Sequence, residues 1–99
     1  MAQNQKIGKH KTRVLFGNHR HVVQYHDTNV VIYDGHNVSL DSGGFKTATT
    51  KRRMNQASAQ WNIGYHVYQR DFEWFVSFPL SGMEDIPFVD RMKFSKSKI

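Results

Sequence analysis

Gly43-Gly44-Phe45-Lys46-Thr47-Ala48-Thr49-Thr50-Lys51-Arg52-Arg53-Met54-Asn55-Gln56 is the stretch in which the chain changes period. Before it, apolar residues alternate with polar ones; after it, Met54, Ala57 and Trp61 recur at helical spacing, with Arg52, Asn55, Gln56 and Ala59 on another side. The spacing predicts one substantial helix over Thr50 to Asn62, with Thr49 or Thr50 as its N-cap and Gly64 as its stop. Lys51, Arg52 and Arg53 then fall at a helix start, where free backbone N–H groups and the dipole are already positive. Cations gathered there work against the dipole unless an anion joins them, and phosphate is the anion such a site suits.

Outward from this point the sequence reads as strands. His21–Tyr25 and Asn29–Tyr33 are rich in β-branched and aromatic residues, and Asp34-Gly35 is a type I′ hairpin signal before His36–Leu40. Val38 and Leu40 alternate with Asn37 and Ser39, which predicts one buried and one wetter face. Arg13–Phe16 adds an edge strand with Gly17-Asn18 as its turn. On the other side of the helix, Tyr65–Gln69 and Glu73–Phe78 are joined by a tight turn at Arg70-Asp71-Phe72. Ile86–Val89 forms a short edge strand, since Pro87 cannot sit in a central one. The expected fold class is α+β: a mostly antiparallel five- to six-stranded sheet (meander, one helix, hairpin) with one helix packed on one face.

A chain of 99 residues supports one core, and the absence of cysteine excludes disulfides, thiolate metal sites and a cysteine nucleophile. Lys and Arg number 14 against 8 Asp and Glu, for a formal charge of +6. No acid precedes Asp27, whereas Lys6, Lys9, Lys11, Arg13 and Arg20 do, and Arg91, Lys93, Lys96 and Lys98 crowd the other end. The expected division is a basic arm over 1–12, a single domain over 13–90 and a basic tail over 91–99. Such a charge distribution attracts an anionic partner, or else merely keeps a small protein soluble. The start, Met1-Ala2-Gln3-Asn4-Gln5-Lys6, is polar, and no apolar run reaches the length of a signal-peptide core or a membrane span, so a cytoplasmic protein with no membrane partner is expected.

The candidate phosphate-binding residues are Lys46, Thr47, Thr49, Thr50, Lys51, Arg52, Arg53 and Asn55, which offer cations, hydroxyls and helix N–H groups. They do not form a P-loop, because the second glycine followed by Lys and Ser or Thr is missing. The plainer alternative is that a threonine only caps the helix, the glycines only turn the chain and the cations are solvated. His19 and His21 would point to one side of a strand and His26 has Asp27 beside it, yet no third ligand has diagnostic spacing. No metal, no cofactor and no catalytic residue is therefore expected, and an enzyme acting on nucleic acid is the weakest of the options. The hairpin carries rings on both faces: Tyr65, Val67, Trp74, Val76 and Phe78 on one, His66, Tyr68 and Phe75 on the other. One face lies under the helix. The other exposes Tyr68 and Phe75 either as a stacking platform for single-stranded nucleic acid or as a second core or homodimer interface.

Thr28, Val30-Val31, Leu40-Asp41-Ser42-Gly43-Gly44-Phe45 and the Thr47 to Gln56 run resemble a group of small proteins encoded by tailed bacteriophages. The likeness covers roughly Thr28 through Phe78, including Val67-Tyr68-Gln69 and the aromatic hairpin Trp74-Phe75-Val76. It implies a phage origin and expression in the host cytoplasm, with no assigned activity and no catalytic residue to transfer. Small phage proteins are often nucleic-acid binders or inhibitors of host factors. The expected function is thus non-enzymatic binding of DNA or RNA through the basic helix start. The alternative is a phage inhibitor that docks on a host or anti-phage defence protein.

Overall fold

The structure, a computed structural model, describes residues 11–17 and 19–96. Its elements run β1 (Thr12–Gly17), β2 (Arg20–Tyr25), β3 (Thr28–Tyr33), β4 (Asn37–Leu40), α1 (Ala48–Gln60), β5 (His66–Arg70), β6 (Glu73–Phe78), β7 (Met83–Pro87) and β8 (Met92–Ser95). The α+β class, the antiparallel pairing and the order of meander, helix and hairpin are as the sequence indicates. The strands divide between two sheets, one ordered β1-β2-β3-β4-β8 and the other β5-β6-β7.

Period-two patterning explains the larger sheet. Its register aligns Val14, Val23, Val31, Leu40 and Met92 in one row across the strands, and Phe16, His21, Tyr33, Val38 and Phe94 in the next. Both rows share one face because their members are two residues apart in each strand. Val30 is the extra residue of a bulge opposite Val23 and Gln24, and it too is buried. In the smaller sheet, Val67, Trp74, Val76 and Phe78 are buried, while His66, Gln69, Arg70 and Glu73 face solvent. The helix is wedged between these sheets against β2, β3 and β5, so Met54 and Ala57 enter one continuous core with residues of both.

Several boundaries differ from the sequence reading. The β3–β4 loop is Gly35-His36, one residue later than Asp34-Gly35. Asp34 pairs with Asn37 through a 3.2 Å backbone bond, and its Oδ1 accepts from the His36 and Asn37 N–H groups at 2.9 and 2.6 Å. Of the two loop residues only Gly35 has positive φ (+92°), whereas a type I′ turn needs both. The edge strand expected at Ile86–Val89 lies earlier, at Met83–Pro87, with Phe88 held beyond it by a 2.9 Å bond to the Trp74 carbonyl. The expected tail over 91–99 contributes β8, which pairs with β4 and sends Phe94 against Tyr65 and Phe78. Within the expected arm over 1–12, residues 1–10 lie outside the described residues, and Thr12 begins β1. Gly17 pairs with Arg20, and Asn18, read as part of that turn, also lies outside the described residues.

Candidate nucleic-acid interface

The loop before α1 is wired to itself. Asp41 Oδ1 accepts from the Gly43 N–H at 2.9 Å, Ser42 Oγ from the Gly44 N–H at 3.2 Å, and the Ser42 carbonyl from Phe45. Ser42 is itself anchored, donating its hydroxyl to Asp90 at 2.6 Å and its N–H at 2.9 Å. Burial works to raise the Asp90 carboxyl, but the two Ser42 bonds and the nearby Lys46 and Arg91 charges together hold it below its ordinary value. The chain thus enters the helix from a fixed point, and Thr47 is the N-cap. Its hydroxyl accepts from the Thr50 N–H at 3.1 Å and lies 3.0 Å from the Thr50 hydroxyl. Thr49 and Thr50, expected as caps, instead occupy the first turn, and Thr50 is buried. No acid stands in that turn, so the positive end of the dipole has no carboxylate on its own element.

The cations of this segment do not form one cluster. Lys46 Nζ lies 5.8 Å over the Phe88 ring and Lys51 Nζ 5.8 Å over the Trp74 ring, both toward the smaller sheet. Arg52 is exposed. Arg53 turns the other way and is only 6% exposed: its Nε donates to Thr12 at 2.9 Å, its Nη1 to Gln56 at 3.1 Å, and it stands over the Tyr25 ring. Burial draws its guanidinium below the ordinary value. Asn55 is equally committed, since its Nδ2 donates to the Val67 carbonyl at 2.8 Å and its Oδ1 accepts from the Val67 N–H at 2.7 Å. Of the residues expected to bind phosphate, Arg53, Asn55 and Thr50 thus have their polar groups engaged within the fold. Their polarity serves a helix that has two buried sides.

Two concavities flank the helix start. One, of about 380 Å³, is lined by Tyr25, His26, Asp27, Phe45, Thr47 and Thr50, and its carboxylate makes it poorly suited to an anion. The other, of about 330 Å³, is a groove between α1 and the start of β5, lined by Ala48, Lys51, Arg52, Asn55, Gln56 and His66. Among the described residues no carboxylate lines the groove. Thus Lys51, Arg52 and Asn55 come together, Thr47 and Thr50 lie at the other concavity, Lys46 sits by Asp90, and Thr49 is half-buried in the first turn. His66 is the groove residue that helical periodicity could not supply. The signal that finds it is the outward phase of β5, together with the Asn55 bridge that lays the strand beside the helix.

Tyr68 and Phe75, the expected stacking residues, lie on the outward face of the smaller sheet. They are register partners whose rings stack with centroids 5.7 Å apart, and both are half-buried. Tyr68 donates its hydroxyl to Asp85, a bond that raises its ionisation above the ordinary value, with burial adding to it. The hairpin tip beyond them holds Asp71 and Phe72 at φ of +53° and +67°, and Phe72 is 96% exposed. Among the described residues no three His, Cys, Asp or Glu side chains stand where they could share a metal. Nor, among those residues, is any helix long and apolar enough to cross a membrane.

Fold and groove together define a small α+β protein with a cationic furrow beside its single described helix. The chain belongs to the Kyanoviridae Gp96 protein family, whose model matches residues 1–95, and it is therefore a phage protein. No curated protein and no solved structure matches it. Family membership supplies an origin and no chemistry.

Proposed function

We propose that this is a non-enzymatic phage protein that binds nucleic acid through phosphate contacts in the host cytoplasm. One observation carries the reading: the groove between α1 and β5 joins Lys51, Arg52 and His66, with no carboxylate among the described residues that line it. Two fixed charges and an imidazole at a helix start attract an anion through field and dipole together. Limited sequence preference follows, because phosphate contacts position a nucleic acid without reading its bases. The site is narrower than the sequence suggests, since Arg53 is spent on Thr12 and Gln56.

The test is binding as a function of salt. If Lys51 and Arg52 each contact a phosphate, the Lys51→Gln/Arg52→Gln variant keeps its helix and its log-affinity against log-salt slope becomes shallower by about one to two units. An unchanged slope and affinity would remove the groove from the interface. No binding by the parent at low salt would overturn the reading and favour the second one, docking on a host or anti-phage defence protein. The observation behind that alternative is Phe72, an exposed aromatic in left-handed backbone at a hairpin tip.

A further inference from the structure

The outward face of β5 continues the groove onto a second surface. His66 closes the groove beside Lys51 and Arg52, and Tyr68 and Arg70 follow it on the same face, each step about 6.6–6.8 Å along the strand. Tyr68 stacks on Phe75 with an interplanar angle of 25°, and the Arg70 guanidinium lies 5.0 Å over the Phe75 ring. The hydroxyl bond to Asp85 of β7 holds the far end of the Tyr68 ring in place. A row of imidazole, stacked rings and guanidinium therefore leads out of the cationic groove.

Resting on the phosphate-binding reading, we infer that the ligand is a single strand, with its backbone in the groove and a base stacked on the Tyr68–Phe75 pair. Charge decides the arrangement. Glu73 stands opposite Arg70 and offsets its charge, and Asp85 receives the Tyr68 hydroxyl, so the platform offers phosphate no excess of positive charge, whereas no carboxylate lines the groove among the described residues. The polymer's charge is favoured on the α1 side and its uncharged base faces on the β5–β6 side. A duplex cannot satisfy both, because its bases are stacked on one another inside it. A single strand offers a free face of any base, so the contact tolerates sequence.

The experiment compares fluorescent single-stranded DNA and RNA oligonucleotides of about 16 nucleotides with a duplex of the same length. The proteins are the parent, Tyr68→Leu, Tyr68→Phe and Phe75→Leu, each checked for fold by circular dichroism. The parent should prefer a single strand. Tyr68→Leu should lose about 5- to 150-fold in affinity with its salt slope unchanged, while Tyr68→Phe, which keeps the ring, stays near the parent. Phe75→Leu supplies the same test should Tyr68→Leu not fold. Equal binding of single strand and duplex, with folded Leu variants as tight as the parent, overturns the inference and leaves the phosphate reading standing. Equal losses in Tyr68→Leu and Tyr68→Phe also overturn it, by placing the effect on the Asp85 bond. Absence of binding to every probe at low salt removes both readings at once.

Discussion

Gly43 shows how much one residue can settle. Its φ is +65°, and a Cβ built on it would lie 2.2 Å from Thr28 Oγ1, so backbone conformation and close approach both require glycine. Its neighbour Gly44 also has positive φ (+85°) but nothing within 4 Å of a built Cβ. Gly44→Ala should therefore cost about 1–2 kcal/mol from left-handed backbone alone. Gly43→Ala should cost clearly more, because β3 must move aside or the loop before α1 must open. Urea midpoints of the two variants measure the difference, and equal values would mean that the contact with Thr28 carries no energy. The glycine pair was legible in the sequence as a turn. Which glycine is indispensable was not, since the answer depends on Thr28, which meets the loop only in the folded chain.

At the level of elements, α1 shows why its neighbours were easier to read than its face. Met54 and Ala57 were recognisable as core by spacing, and both are fully buried. Arg53, Gln56 and Ser58 are buried as well, because the helix is wedged between two sheets and has more than one covered side. Polar residues on a covered side look like a solvent face in sequence, since pattern reports polarity and not partnership. Ser58 donates to the Tyr65 carbonyl at 2.7 Å and accepts from the Tyr65 N–H at 3.0 Å, and Asn55 does the same for Val67. The two side chains satisfy backbone groups along the outer edge of β5, where another strand would otherwise pair. Asn55→Leu should cost about 1–3 kcal/mol for each Val67 group left unpaired, and amide exchange at Val67 should quicken. A midpoint and an exchange rate equal to the parent's would show that this edge is satisfied without the bridge. The candidate site was half legible for the same reason: Lys51 and Arg52 reach the groove, and Asn55 lines it while tied to β5.

Across the whole molecule, two long-range ties hold the helix start to the chain's later part. One is the Ser42–Asp90 pair, whose residues lie 48 positions apart. Asp90 ionises below its ordinary value in the folded chain, so its carboxylate contributes stability that is fully present above the ordinary carboxylate range and is lost as pH falls through the lower folded value. Thermal midpoints followed from about pH 6 to about pH 2 should fall less steeply in Asp90→Asn than in the parent. Parallel curves would mean that Asp90 ionises as it does in the unfolded chain. The other tie is β8, which sequence charge disguised as a tail because Arg91, Lys93 and Lys96 outweigh Met92 and Phe94 in any compositional reading. Its pairing with β4 has a temporal consequence. During synthesis at about 5–20 residues per second, β4 is made several seconds before Met92–Ser95, and for that interval β4 stands as an edge in place of the lysine-bearing β8 and Phe78 lacks the ring of Phe94. The newborn chain is thus open to pairing with its own copies along β4 until β8 is made, and conditions that slow translation between β4 and β8 should lower the yield of soluble protein.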